Sequence, residues 1–257
     1  MEKNPEPTVS YAQNAEDIVL LRVLSHVERG FYVDVGAWHP ANYSVTKVFY
    51  DRGWSGINVE PQARQMQVFL AERPRDINLQ VAISDRSGLL SIWVPRYSAL
   101  ATCRADMLEP SIPDYAEPVE QVVEAISLDR LLREHAKDRE IHFLKIDVEG
   151  HEAAVIRSGD FDTHRPLVMV VEATSPHTNE PTWYDWERGL LAKGYLFALF
   201  DGLNRFYVRE ESRELLPALA VPANCLDGFV TRREMRLMRE LVVAQERLKR
   251  LGITTSM

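Results

Sequence analysis

Short apolar runs recur along this chain, separated by segments long enough to hold a helix. They are "FYVDVGA" at 31–37, "GINVEP" at 56–61, "INLQVAIS" at 77–84, "FLKIDVEGHE" at 143–152, "PLVMVVEA" at 166–173 and "YLFALFDG" at 195–202. A chain with this rhythm buries its runs as parallel strands joined by helical crossovers, the βαβ pattern of an α/β domain. Helices are expected from Ser44 to about Arg52 and over "QARQMQVFLAERP", which Pro74 ends. "NRFYVRE" at 204–210 alternates and follows an Asp-Gly-Leu turn, so it should return antiparallel. Four strand-like stretches close on an acid, Asp34, Glu60, Asp147 or Glu172, an ending that packing alone does not require.

The rhythm breaks between the third and fourth runs. "SGLLSIWVP" reads as one arm of a hairpin, and 95–120 holds four prolines without clear periodicity. Connections of that length are usually functional lids or disordered segments, and part of the acceptor pocket is expected there. At the C-terminus "RREMRLMRELVVAQERLKRLG" is helical, with Met238, Leu241, Gln245 and Leu248 at 3-4-3 spacing. It is read as a terminal helix docked on the domain; a short coiled coil to a second copy, or a link to a fused partner domain, is the alternative. The expected organisation is one domain over 1–231, with a cap segment at 1–30 and a lid at 95–120, followed by a helix at 232–257.

Charge narrows the function classes. The net charge of −8 should repel phosphate backbones and anionic lipid surfaces, so nucleic acid is not an expected partner. Cys103 and Cys225 lie 122 positions apart and no Cys/His cluster has zinc-ligand spacing, which suits a reducing compartment. The first residues lack a basic region followed by an apolar run, and no stretch approaches the roughly 20 apolar residues of a membrane span. A soluble, cytoplasmic protein is expected.

Asp34 and Gly36 sit at the end of the first strand, where open α/β sheets bind ligands and glycine lets a ligand approach the backbone. A helix-capping acid and a turn glycine would look the same. Glu60 adds specificity: it closes the second strand 26 residues after Asp34, where an acid accepts both hydroxyls of a ribose. Pyrophosphate needs the glycine-lined turn G-x-G-x-x-G, whereas this chain offers "GAWHPA", with Trp38 and Pro40 in the way. An adenosine cofactor without phosphates fits better, and S-adenosyl-L-methionine is the obvious one.

With those residues in view, the chain resembles the FkbM-type family of class I S-adenosylmethionine-dependent methyltransferases. The resemblance rests on "YAQNAED" (11–17), "FYVDVGAWHPANYSVTKVFYDRGWSGINVEP" (31–61), "AISD" (82–85), "ISLDRLL" (126–132) and "LKIDVEGHE" (144–152). The family pattern more often has a small polar residue where this chain has Trp38. The resemblance implies a Rossmann-like fold: a seven-stranded, mostly parallel sheet with an antiparallel final hairpin and helices on both faces. It further implies that Asp34, Gly36 and Ala37 line the methionine and ribose end, that Glu60 holds the ribose, and that Ala82 with Ser84 borders the adenine. The segment with Tyr11 and Gln13 would fold over the cofactor; an N-terminal helix with a polar face is the plainer reading.

Methyl transfer is an in-line displacement, so the enzyme must align an acceptor oxygen and remove its proton. Asp147, at the end of the fourth strand, should face the transferred methyl group. Two arrangements would remove the proton. In one His151 is the base, supported by Asp147. In the other Asp147 and Glu172 hold a divalent cation, magnesium for oxygen ligands, which lowers the hydroxyl pKa. His151 also reads as a structural histidine at a helix start, His177 is a further candidate base, and capping explains Glu149 and Glu152. The expected acceptor is a hydroxyl of a sugar or glycan. The alternatives are a polyketide or other small metabolite, and a non-catalytic cofactor-binding module that recruits a partner.

Overall fold

The computed structural model describes residues 7–95, 101–108, 117–176 and 178–250. Strands, in chain order, are β1 Thr8–Ser10, β2 Phe31–Val35, β3 Ser55–Val59, β4 Ile77–Leu79, β5 Ala82–Ile83, β6 Gly88–Val94, β7 Val119–Ile126, β8 Phe143–Ile146, β9 Val168–Glu172, β10 Tyr195–Phe200, β11 Asn204–Arg209 and β12 Phe229–Thr231. Helices are α1 Glu16–Val23, α2 Lys47–Asp51, α3 Ala63–Glu72, α4 Leu128–His135, α5 Glu152–Arg157, α6 Glu187–Ala192, α7 Leu216–Leu219 and α8 Arg232–Arg250. Among the described residues seven strands form one mixed sheet in the order β10-β11-β9-β8-β2-β3-β4. β9, β8, β2, β3 and β4 are mutually parallel, and β11 runs antiparallel to both β9 and β10.

Strand parity divides the interior in two. Phe31, Val33, Val35, Leu144, Ile146, Met169 and Val171 pack on one face with α4 and α6. Tyr32, Phe143, Val168 and Val170 pack on the other with α1 and α2. Successive side chains of a strand point to opposite faces, and the central strands are buried on both, hence their near-continuous apolar character. The second face also carries the sheet's polar residues. Asp34, Asn58 and Lys145 are fully buried there, and the register sets Asp34 beside both of the others.

Several expectations change. The run at 77–84 is two strands, because the chain steps at Gln80 and Val81 and Ala82–Ile83 pair with β7 in a separate three-stranded sheet. The other partner of β7 is β6, the hairpin arm. β7 itself has charged, exposed outward positions that hide its alternation. Half of the expected lid, 96–100 and 109–116, lies outside the described residues. The terminal helix α8 is not docked along its apolar stripe: none of its residues is buried, and Met238 and Leu241 are about half exposed.

One buried network fixes the loop that follows β2. The Arg73 side chain, wholly buried, donates to the Pro40 carbonyl, to the Tyr32 hydroxyl at 3.2 Å and to Ser44 Oγ at 3.2 Å, with Asp76 3.6 Å away. Asp76 in turn accepts from the Tyr32 hydroxyl, Gly56 N and Asn58 Nδ2. Removing one partner of a buried ion pair strands the other charge, at about 3–5 kcal/mol. Asp76→Ala should therefore lower stability by about that much in urea unfolding at pH 7. A loss below about 1 kcal/mol would mean that the Pro40 and Tyr32 contacts alone satisfy Arg73.

Candidate active site

The ends of β2 and β8 come into unusually close contact. Gly36 has φ +81°, and a Cβ there would lie 1.7 Å from the carbonyl oxygen of Asp147. Only glycine tolerates both the left-handed backbone and that approach. With no side chain at Gly36, the amides of Gly36 and Ala37 both reach the Val59 carbonyl, at 3.1 and 3.0 Å. The three strands therefore end together around a cavity walled by 35–38, 59–62, 81–83, 147–149 and His151, with Gln13, Glu16, Ala101 and Cys103 across from them. Ligand sites of open α/β sheets lie at this edge. The cavity is narrow, about 90 Å³, and shares Gln13, Trp38 and Tyr43 with a second cavity of about 840 Å³.

Glu60 organises the loop beyond β2. Its Oε2 accepts the Trp38 amide at 3.0 Å and its Oε1 the Gln62 amide at 2.8 Å. His39 Nδ1 accepts the amides of Ala41 and Asn42. These bonds hold Trp38 and Tyr43 in left-handed conformations, φ +48° and +53°, which for bulky residues costs on the order of 1–3 kcal/mol each. The two rings stack with centroids 5.7 Å apart. Burial pushes the Glu60 carboxyl up to about 7.

Charge concentrates at the end of β8. Lys145 Nζ donates to Asp147 Oδ2 at 2.9 Å and lies 3.8 Å from Asp34 Oδ1. Burial opposes its charge, but the two carboxylates outweigh that and raise its pKa. Asp147, Glu149 and Glu172 then bring one carboxylate oxygen each within 4.8 Å of one another. Oε2 of Glu149 and Oε2 of Glu172 are buried without a hydrogen-bond partner among the described residues. Burial and then the Asp147 charge raise both carboxyls well above their ordinary value.

With the cavity and its acids placed, the comparisons fit. The "Methyltransferase FkbM domain" family matches residues 34–197, more than half of the chain. This chain belongs to the FkbM methyltransferase family. No curated protein matches it.

In this FkbM methyltransferase, Gly36, Ala37, Glu60, Ala82, Gln13, Asp147 and His151 stand together on the cavity wall. Asp34 does not. Its buried side chain stays beneath the wall, where Thr46 donates to it and Lys145 balances it. Ser84 lies behind His151, with 3.1 Å between its Oγ and His151 Nε2. Tyr11 lines the second cavity instead. Glu172 joins the site only through the acidic cluster.

The pairing expected between His151 and Asp147 is not made, since His151 turns to Ser84 and Asp147 to Lys145. The capping role holds for Glu152, which stands in the first turn of α5, but not for Glu149. Glu149 precedes the helix at φ +52° with its carboxylate in the cluster, and Glu152 accepts the Val148 and Gly150 amides to close the loop. Of the expected lid, Thr102 pairs with Trp93 and donates to the Glu149 carbonyl at 2.7 Å, which brings Ala101 and Cys103 onto the wall. His177 lies outside the described residues. Sequence reasoning missed Lys145 and Glu16 as wall residues; a lysine inside an apolar strand was the available signal for the first.

Several of these acids are stored at a cost. Burial raises Glu16, Glu60 and Glu152 to about 7 and Asp17 to about 6, from 4.5 and 3.8. Between roughly pH 4.5 and 7 the folded state thus holds more protons than the unfolded one, so stability falls as pH rises through that window. Exposed acids with lowered values, such as Asp106 and Glu211, titrate below it. The urea midpoint of the ligand-free protein should drop between pH 5 and 8, less steeply in Glu60→Gln. A flat or rising profile in the wild type would contradict this account.

Proposed function

We propose that the protein uses S-adenosyl-L-methionine to methylate a hydroxyl oxygen, with a sugar or glycan as acceptor. The observation that carries the reading is the sign of the inner cavity: among the described residues Glu16, Glu60, Asp147 and Glu149 stand on the wall against one cation, Lys145. Such a wall favours a cationic ligand and repels a pyrophosphate, which separates a sulfonium cofactor from a nicotinamide dinucleotide. Glu60 takes the ribose hydroxyls with the lone pairs that Trp38 and Gln62 leave free. Val81, Ala82 and Ile83 give an apolar wall for the adenine. At about 90 Å³ the cavity is below the usual 300–1,000 Å³ of ligand pockets, so Gln13 and the 59 % exposed Tyr43 form the wall that yields. When bound, the cofactor supplies an electrophilic methyl carbon and leaves as a neutral thioether.

The chain's own residues handle the acceptor proton. Carboxyls with a raised pKa are effective bases, and Glu149 and Glu172 provide them at the cavity's edge. His151, engaged by Ser84, positions the adenine side of the wall in this reading. The Trp38–Tyr43 stack offers an aromatic face of the kind that sugar rings pack against.

Calorimetric titration with S-adenosylhomocysteine tests the cofactor. The wild type should bind it, and Glu60→Gln should weaken binding by about 1.5–3 kcal/mol, roughly 10- to 150-fold. Tight binding of NAD instead would overturn the assignment.

A second reading of the cluster rests on its buried, unpartnered Glu149 and Glu172 oxygens. Three carboxylate donors suit a magnesium ion, which would lower the acceptor's pKa. If so, magnesium raises the melting temperature of the wild type by mass action but not that of Glu172→Gln. If magnesium leaves the wild-type melting temperature and activity unchanged, the cluster acts as a base without metal.

A further inference from the structure

The second cavity differs from the first in sign. It lies between the segment 9–13, the loop with Trp38, Asn42 and Tyr43, and the first turns of α8. Among the described residues four arginines line it, Arg232, Arg233, Arg236 and Arg239, and no aspartate or glutamate does. In a chain of net charge −8 this is a local inversion, set directly against an inner cavity dominated by acids.

The groove is fixed in place. β1 pairs with β12, which leads into α8. Thr231 and Glu234 form a capping box at its start, Thr231 N donating to Glu234 Oε2 and Glu234 N to Thr231 Oγ1. Arg232 donates to the Ala41 carbonyl and to Asn42 Oδ1, tying the helix to the loop that carries the stacked rings. Arg232, Arg236 and Arg239 fall at i, i+4 and i+7, on one side of α8. Arg233 and Arg239 make no hydrogen bond or ion pair among the described residues, and the Arg236–Glu240 pair is exposed at 3.8 Å. Exposed pairs of that kind hold a side chain weakly, so three guanidiniums remain free to meet a ligand.

We propose that this groove is the acceptor site and that it takes a phosphate-bearing saccharide, with the nucleoside diphosphate sugar as the form its features match best. The inference rests on the hydroxyl-methylation reading. Arginine forks recognise phosphate oxygens in a bidentate way, and the three free ones, Arg233, Arg236 and Arg239, match a diphosphate better than a single carboxylate. Tyr43 and Trp38 stand between the two cavities and stack on the sugar or base ring, which leaves a ring hydroxyl at the inner cavity. At about 840 Å³ the groove is large enough for such a ligand.

The test is calorimetric titration of the full chain with UDP-glucose, glucose 1-phosphate, glucuronic acid and maltose, each with and without saturating S-adenosylhomocysteine. UDP-glucose should bind at least tenfold more tightly than maltose and should weaken as salt rises. Glucose 1-phosphate reports a simple sugar phosphate, and glucuronic acid a carboxylate. R236A/R239A, on an exposed helix, should lose at least tenfold in UDP-glucose affinity while binding S-adenosylhomocysteine as the wild type does. The proposal fails if the wild type binds S-adenosylhomocysteine but none of the phosphorylated sugars, if maltose or glucuronic acid binds as well as UDP-glucose, or if the double variant keeps its affinity. Should S-adenosylhomocysteine not bind the wild type, the cofactor reading fails by itself, and the titrations without it still decide the groove.

Discussion

The buried ammonium of Lys145 sets the order of everything around it. A charge taken out of water costs several kcal/mol unless it is paired and hydrogen-bonded. Here Asp147 is two residues along on the same face, and Asp34 lies opposite in the parallel register of β2 and β8. The pairing keeps the ends of those strands together. Their close approach in turn requires glycine at position 36, because any Cβ there would enter the Asp147 carbonyl. The shape of the inner cavity follows from one lysine and one missing side chain.

A second consequence is the concentration of acids. Lys145 answers Asp34 and Asp147, and nothing comparable answers Glu149 and Glu172, whose buried oxygens stay unpartnered among the described residues. Unpaired buried carboxylates are expensive, and strain of this kind gathers at functional sites. The left-handed Trp38 and Tyr43, held by Glu60 and His39, belong to the same pattern. Acids inside and arginines outside give the two neighbouring cavities opposite signs.

Much of the fold was legible because it depends on local periodicity. The apolar runs became strands of the large sheet wherever both faces are buried, and β11 returned antiparallel as its alternation and turn foretold. Where a run serves two sheets, as at 77–84, no local pattern marks the step. β7 escaped notice because exposed charges occupy its outward positions. Gly36, Glu60 and Asp147, singled out at strand ends, stand on the cavity wall. Asp34 ends a strand too, but its side chain is buried beside Lys145 and Thr46 rather than on the wall, and Glu149 resembles a cap until the loop's left-handed turn is seen.

By itself, then, the amino-acid sequence determined the α/β alternation, the family and the strand ends at which chemistry gathers, since these rest on spacing and residue type. Tertiary structure alone decided which acids share a cluster, that His151 turns to Ser84 rather than to Asp147, and that α8 carries its arginines to the rim of the site while its apolar stripe stays exposed. Those outcomes depend on sheet register and on contacts between residues far apart in the chain, such as Arg232 with Asn42, and no local pattern encodes them.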